Sequence, residues 1–256
     1  MNKNERLILV TNDDGVDAPG IKKLTAIAQH FGKVIVVCPD TGRSGQSHAV
    51  TMNVPLRRRL IHKDNELEIH ISNGTPVDCV KLALHGLMDR KPDLLLSGIN
   101  HGANSSVNVF YSGTMAAVLE GCMLQIPSLG FSTFENCYDF DMSILENDIS
   151  NIIRKVIVNG LPERTCLNVN FPEHYDPSKG LKVCRMGHAF WKEEFEERLD
   201  SHNSPYYWLK GTFVPLEYGE DSDIWAIKHG YAAVVPVKPD ITAHHTIEHI
   251  KNTIEL

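Results

Sequence analysis

Residues 7–16, LILVTNDDGV, set a short apolar run against an abrupt polar turn. Leu7 to Val10 shows no polar alternation, which predicts a strand buried on both faces. The turn after it, Asn12-Asp13-Asp14-Gly15, consists of turn-forming residues, and an ordinary tight turn accounts for that composition. It also sets two carboxylates side by side. Such a pair repels itself unless a positive partner stands close, and a hard divalent cation bound through oxygen is one such partner.

Outward from this stretch the pattern repeats. Ile21 to His30 predicts a helix with Ile21, Leu24, Ile27 and Ala28 on one face, and Val34 to Val37 a second buried strand. Glu68 to Ile71 predicts another. Thr75-Pro76-Val77-Asp78 combines an N-cap, a proline suited to the first helical position and a capping-box acid, so a helix runs from there to about Asp89. Asp93 to Leu96 and Pro127 to Gly130 read as strands, and Met115 to Cys122 as a helix between them. Strands alternating with helices imply a parallel sheet covered on both faces. From about Leu161 aromatic residues, prolines and charges become denser, as in Phe190-Trp191-Lys192-Glu193-Glu194, and hairpins fit better than another βαβ unit. The expected division is a catalytic core over 1–160 and a C-terminal extension over 161–256. That extension contributes to the fold and supplies arms for subunit contacts.

A chain of 256 residues, 42% hydrophobic, holds one large α/β domain or such a domain with an extension. Its net charge of -7 argues against a long nucleic acid as partner. The one dense basic run, Arg57-Arg58-Arg59, reads as a solvated edge or loop. The six cysteines, Cys38, Cys79, Cys122, Cys137, Cys166 and Cys184, include no C-x-x-C pair, which suits buried free thiols in a reducing compartment. Met1 to Arg6 is polar, and neither a signal peptide nor a run of about 20 apolar residues occurs. A cytoplasmic protein, not bound to membrane, is expected.

In an open parallel sheet, ligands bind beyond the carboxyl ends of the strands. Three strands here end in polar loops. The first carries Asp13 and Asp14, the second carries Ser44 within Thr41–His48, and the third carries Asn100 within Ser97–Asn104. If these strands are neighbours, Asp13, Asp14, Ser44 and Asn100 supply four oxygens suited to one divalent ion, Mg²⁺ or Mn²⁺. Tyr111-Ser112-Gly113-Thr114 directly precedes a helix. Its free N–H groups and the helix dipole suit an anion, although an ordinary Ser or Thr cap explains the hydroxyls equally. His48 and His101 lie on these loops as proton carriers or structural hydrogen bonders. Tyr206, Tyr207 and Trp208 read as a packed hairpin, a subunit interface or a base-stacking surface, and His244-His245 lacks a well-spaced metal-binding partner.

At this point the chain resembles a known family, the SurE survival-protein nucleotidases. The segments that carry the resemblance are TNDDGVDAPGI, PDTGRSGQSHAVT, NGTPVDCV, SGINHGAN and YSGTMAAVLEG, with PYYWLKG and GYAAVVPVKPDITAHHT further on. They cover nearly the whole chain in order. The resemblance implies a Rossmann-like core, and a metal site at Asp13, Asp14, Ser44 and Asn100. It also implies a phosphate pocket at Asn104, Ser112, Gly113 and Thr114, and a homodimer or homotetramer with exchanged C-terminal arms. The implied activity is hydrolysis of nucleoside 5′- and 3′-monophosphates, with Asp13, Asp14 and Thr114 as the catalytic residues. One departure is Ser105-Ser106-Val107-Asn108, where members of the family often have a glycine and an acidic residue.

Metal-assisted hydrolysis is the mechanism this reading predicts. A receiver-type module also places an acidic pair after its first strand, but needs an acceptor Asp after a middle strand. Asp93 precedes its strand, and Asp40 lies with the Ser44 loop. A dinucleotide-dependent oxidoreductase lacks its G-x-G-x-x-G here, and a P-loop kinase its G-x-x-x-x-G-K-[ST].

Overall fold

β1 (Leu7–Thr11) lies inside a nine-stranded sheet in a computed structural model that describes residues 5–134 and 140–254. Cys137 and residues 1–4 of the polar amino-terminal segment fall outside the described residues. The chain leaves β1 through α1 (Pro19–Gln29) and returns in β2 (Lys33–Pro39), parallel to β1. β4 (Leu67–Ser72) adds in parallel to β2, and β3 (Arg58–Lys63) caps that side as an antiparallel edge. α2 (Pro76–Gly86) then carries the chain to β5 (Leu94–Asn100), which pairs in parallel with the other side of β1. α3 (Gly113–Met123), β6 (Ser128–Ser132), α4 (Glu146–Asn159) and β7 (Cys166–Asn170) build outward from there. The sheet thus grows one way from β1 and then the other way from β5. The gap between those two strands is a topological switch point, where such sheets bind ligands.

Both faces of β1 are buried, which is why its apolar run does not alternate. Ile8 and Val10 join one core with α1 and α4, while Leu9 joins a second with α2 and α3. α1 starts two residues before the expected Ile21, because Pro19 suits a first turn. Gly20 is required there: a Cβ would stand 1.9 Å from the Ile99 carbonyl oxygen, so only glycine lets α1 lie on the end of β5. α2 has the expected capping box, Thr75 accepting from Asp78 and Asp78 accepting from Thr75. α4 is amphipathic, burying Ile149, Ile152, Ile153 and Val156.

One local expectation changes. Ser97 to Asn100, expected as loop, is the end of β5, because Ser97 pairs with Thr11 and Asn100 with Ser132. Arg58 and Arg59, expected on a solvated edge or loop, belong to an edge strand whose six residues are all exposed, and such charge suits an unpaired edge.

The C-terminal third contributes to the same sheet. β13 (Ala232–Val237) pairs antiparallel with β7, and β8 (Leu181–Val183) pairs in parallel with β13. The rest makes two hairpin ladders, β9 (Ala189–Lys192) with β12 (Thr212–Pro215) and β10 (Phe195–Leu199) with β11 (Pro205–Leu209). Two short helices follow, α5 (Asp223–Lys228) and α6 (Ile247–Ile254), the second with no buried residue. Cys38, Cys79, Cys122, Cys166 and Cys184 are free and buried. Among the described residues no helix is long and apolar enough to cross a membrane.

Candidate active site

The turn after β1 is built to hold its carboxylates in place. Asn12 Nδ2 donates to the Gly15 carbonyl at 2.9 Å, and Gly15 takes a φ of +91°, which suits glycine. The Asp13 carbonyl accepts from the Arg43 N–H at 2.7 Å, tying the turn to the Ser44 loop after β2.

Asp13 is buried, and the start of α3 closes around it. The Thr114 hydroxyl donates to Asp13 Oδ1 at 2.5 Å, with Asn100 Oδ1 3.4 Å from the same hydroxyl. The backbone N–H groups of Gly113 and Thr114 also bond this carboxylate. A Cβ on Gly113 would stand 2.9 Å from Asp13 Cβ. The anion seated at this helix start is therefore the side chain of Asp13. The Thr114 hydroxyl, expected in the phosphate pocket, here donates to Asp13. Likewise the missing side chain of Gly113 makes room for Asp13. The helix cap is Ser112, whose Oγ accepts from the Met115 N–H at 3.0 Å.

Asp14 sits beside this pocket and is partly exposed. Its Oδ2 accepts from the His101 N–H at 3.2 Å. Burial, and then the charge of Asp13, push its pKa up from 3.8 to about 7. Burial raises the pKa of Asp13 as well, against the pull of its hydrogen bonds. Among the described residues neither carboxylate has a Lys or Arg in an ion pair. Asn12 Oδ1 beside them is buried without a partner. Two carboxylates, an amide oxygen and a nearby hydroxyl are hard donors lacking positive charge, and a divalent cation fits that set. Among the described residues no group of three His, Cys, Asp or Glu side chains could hold a metal; Asn100 and Ser44 lie outside those residue types.

A cavity of about 640 Å³ opens over this turn, and Asp13, Ser44, Asn100, Asn104 and Ser112 line it. Of the expected site residues, Asp14, Gly113 and Thr114 are not in its wall; they meet it through Asp13 and His101. Ser44 is exposed on its loop. Asn104 is braced by Ser132, Asn168 and Asn170, its N–H reaching Asn170 Oδ1 at 2.7 Å.

The histidines separate. His101 lines the cavity, and burial lowers its pKa, while Asp13 pulls the other way. His48 lies 3.1 Å from Glu120 Oε2 and has a bracing role. His244 pairs with Asp240 on the surface. Asp93 sits at the start of β5, bonded to the Leu7 N–H, at the far end of the sheet, and Asp40 is half-exposed beside Arg43. Neither can serve as a receiver's acceptor at this cavity. Tyr206, Tyr207 and Trp208 are exposed and line none of it, whereas Trp191, Glu194, Leu209, Lys210 and Asn108 do. These five meet only because the fold lays the hairpins over the turn before α3.

Residues 8–193 match the family model described as Survival protein SurE. The chain is 47% identical to the 5′-nucleotidase SurE of Flavobacterium psychrophilum, across 96% of each chain. It is 45% identical to the protein of that name from Christiangramia forsetii, across 98% of each. The crystal structure of the SurE protein from Aquifex aeolicus matches with a TM-score of 0.81 at 37% identity, covering 96% of this chain and 99% of that one.

Proposed function

The chain belongs to the SurE family of survival proteins, and from that membership we propose that it is a 5′-nucleotidase. It cleaves nucleoside 5′-monophosphates, and 3′-monophosphates as well, to nucleoside and phosphate. The observation that carries this reading is the meeting of Asp13, Asp14 and Asn100 at the β1–β5 switch point, beneath a cavity of nucleotide size.

Asp13, Asp14, Asn100 and Ser44 would hold one divalent ion, Mg²⁺ or Mn²⁺, per subunit. Bound there, the ion would supply Lewis-acid polarisation of a phosphoryl oxygen and offset its charge. Asp13 presents a fixed oxygen because Thr114, Gly113 and the α3 dipole hold it. Asn104 and Ser112 face the phosphate from the cavity wall, so the chain's own contribution is positioning and electrostatics. His101, held toward its neutral form, is the titratable ring at that wall. The exposed apolar hairpin and α6 support a homodimer or homotetramer, and the buried free thiols support a cytoplasmic setting.

The test is phosphate release from adenosine monophosphate by chelator-stripped protein, then with Mg²⁺ or Mn²⁺ restored. Stripped protein is silent, restored protein turns over, and Asp14→Asn loses about a hundredfold or more. Undiminished turnover by stripped protein or by Asp14→Asn overturns the metal-dependent reading.

A further inference from the structure

The cavity is larger than a phosphoryl group requires. At about 640 Å³ it falls among sites that take a whole small molecule. Its wall away from the acidic turn comes from the hairpins: Trp191 of β9, Glu194 beyond it, and Leu209 to Gly211 where β11 leads toward β12.

Trp191 is fixed on two sides. Its indole N–H donates to Asn108 Oδ1 at 2.9 Å, and Asn108 Nδ2 donates in turn to the Ala103 carbonyl at 3.2 Å. Across the β9–β12 ladder its ring meets Phe213 edge-on, with centroids 5.6 Å apart. A half-buried indole whose hydrogen is satisfied and whose rotation is blocked presents a pre-set π face. Asn108 stands on the short turn Ser106–Phe110 that joins the β5 loop to α3, so one residue links this ring to the phosphate side.

We propose that this end of the cavity is a nucleobase subsite, in which the base of a nucleoside monophosphate stacks on Trp191 and Asn108 sets the angle of the ring. The proposal rests on the nucleotidase reading for the direction in which the ligand lies. Stacking accepts every base, because each has a π face. The subsite therefore separates nucleotides from phosphate esters that lack a base. It does not rank the bases.

The experiment compares wild type, Trp191→Ala, Trp191→Phe and Asn108→Ala, with kcat/KM for adenosine monophosphate divided by that for ribose 5-phosphate. Wild type favours the nucleotide. Trp191→Ala loses about tenfold of that ratio, Trp191→Phe keeps most of it, and Asn108→Ala falls between. Thermal midpoints confirm folding, and a variant that misfolds is replaced in the comparison by Trp191→Leu. A ratio unchanged in Trp191→Ala overturns the subsite while leaving the nucleotidase reading intact. If wild type cleaves neither ester, that reading fails instead. The subsite is then judged by calorimetric binding of adenosine, which weakens about tenfold in Trp191→Ala or, if unchanged, overturns it.

Discussion

The hydroxyl of Thr114 donates to Asp13 Oδ1 over 2.5 Å in a pocket where Thr114 is fully buried. Its neighbour Ser112 caps α3 through the Met115 N–H. Two hydroxyls two residues apart thus do separate work, one capping the start of a helix and the other holding a carboxylate.

That division predicts two different mutational outcomes. Thr114→Val keeps the shape but strips a charged group of its buried donor, costing about 2 kcal/mol of stability. Misplacement of Asp13 on the order of 1 Å lowers turnover about a hundredfold. Thr114→Ser restores both. Ser112→Ala costs about 1 kcal/mol through the lost cap. Steady-state rates with thermal midpoints measure each. Wild-type turnover in Thr114→Val would mean that the Gly113 and Thr114 amides hold Asp13 unaided.

A second expectation concerns the acidic pair without metal. The Asp14 pKa rises from 3.8 to about 7 on folding, by burial and then by the charge of Asp13. Between those values the folded chain keeps a proton that the unfolded chain has released. Stability is therefore full below about pH 4 and declines as pH rises toward 7, by on the order of 2–4 kcal/mol. Metal-free protein should melt earlier at pH 8 than at pH 5, Asp14→Asn should show a flatter profile, and Mg²⁺ should flatten that of wild type. Equal slopes for wild type and Asp14→Asn in chelator would refute the assignment.

A third prediction comes from the buried carboxylate of Glu120, farther along α3. Lys81 Nζ reaches its Oε1 at 2.5 Å and His48 Nε2 its Oε2 at 3.1 Å. Burial raises its pKa, but Lys81 and His48 together bring it below the usual range. The segment after Ser44 is further tied by the Ser47 N–H to the Tyr111 carbonyl and the Thr51 N–H to Asp78. Glu120→Gln keeps the shape and loses the charge. Protection of the residue 47–51 amides against hydrogen exchange should drop, and KM should rise severalfold with kcat changed less. Because this pKa is depressed, the contribution is present above about pH 4.5 and lost as pH falls below it. Unaltered exchange in Glu120→Gln would show that α2 and the backbone contacts hold the loop alone.

What was legible in the sequence followed from local chemistry. Leu7–Val10 and Val34–Val37 announced buried strands because both faces are covered by helices, and Thr75–Asp78 announced a helix start because its bonds are local. The acidic turn and the β5 loop drew notice as polar residues after apolar strands. The structure adds that β2, β1 and β5 are neighbours, so these loops share one end of the sheet. The isoleucines of α4, at 149, 152 and 153, are spaced for a helix. Other features depend on distant pairing. β13 finds β7 across more than sixty residues, and no local pattern encodes that partner. Thr114 looked like a cap or a phosphate donor, since only the fold brings Asp13 beneath it. Ser106 takes a φ of +51°, a left-handed conformation that favours glycine. Its hydroxyl bonds the Gly187 carbonyl at 2.8 Å, which offsets the strain of that conformation.

The last prediction concerns assembly. α6 exposes Ile247, Ile250 and Ile254, spaced along one side of the helix, and no residue of it is buried. The β10–β11 hairpin exposes Phe195, Leu199, Tyr207, Trp208 and Leu209, with Leu209 75% accessible. Scattered apolar residues are ordinary on a surface, but exposed apolar clusters on two separate C-terminal elements are not. A closed point-group oligomer would cover them with a second copy of the same surface. Removing residues 240–256 should leave the nine-stranded sheet intact, since β13 ends at Val237, and should lower the molar mass seen by light scattering. Tyr207→Glu with Trp208→Glu tests the hairpin separately, because a buried unpaired charge disrupts an interface but costs little on an exposed strand. A monodisperse monomer from the intact chain at micromolar concentration would rule out the assembly outright. An unchanged oligomer from both variants would place the contact on some other surface.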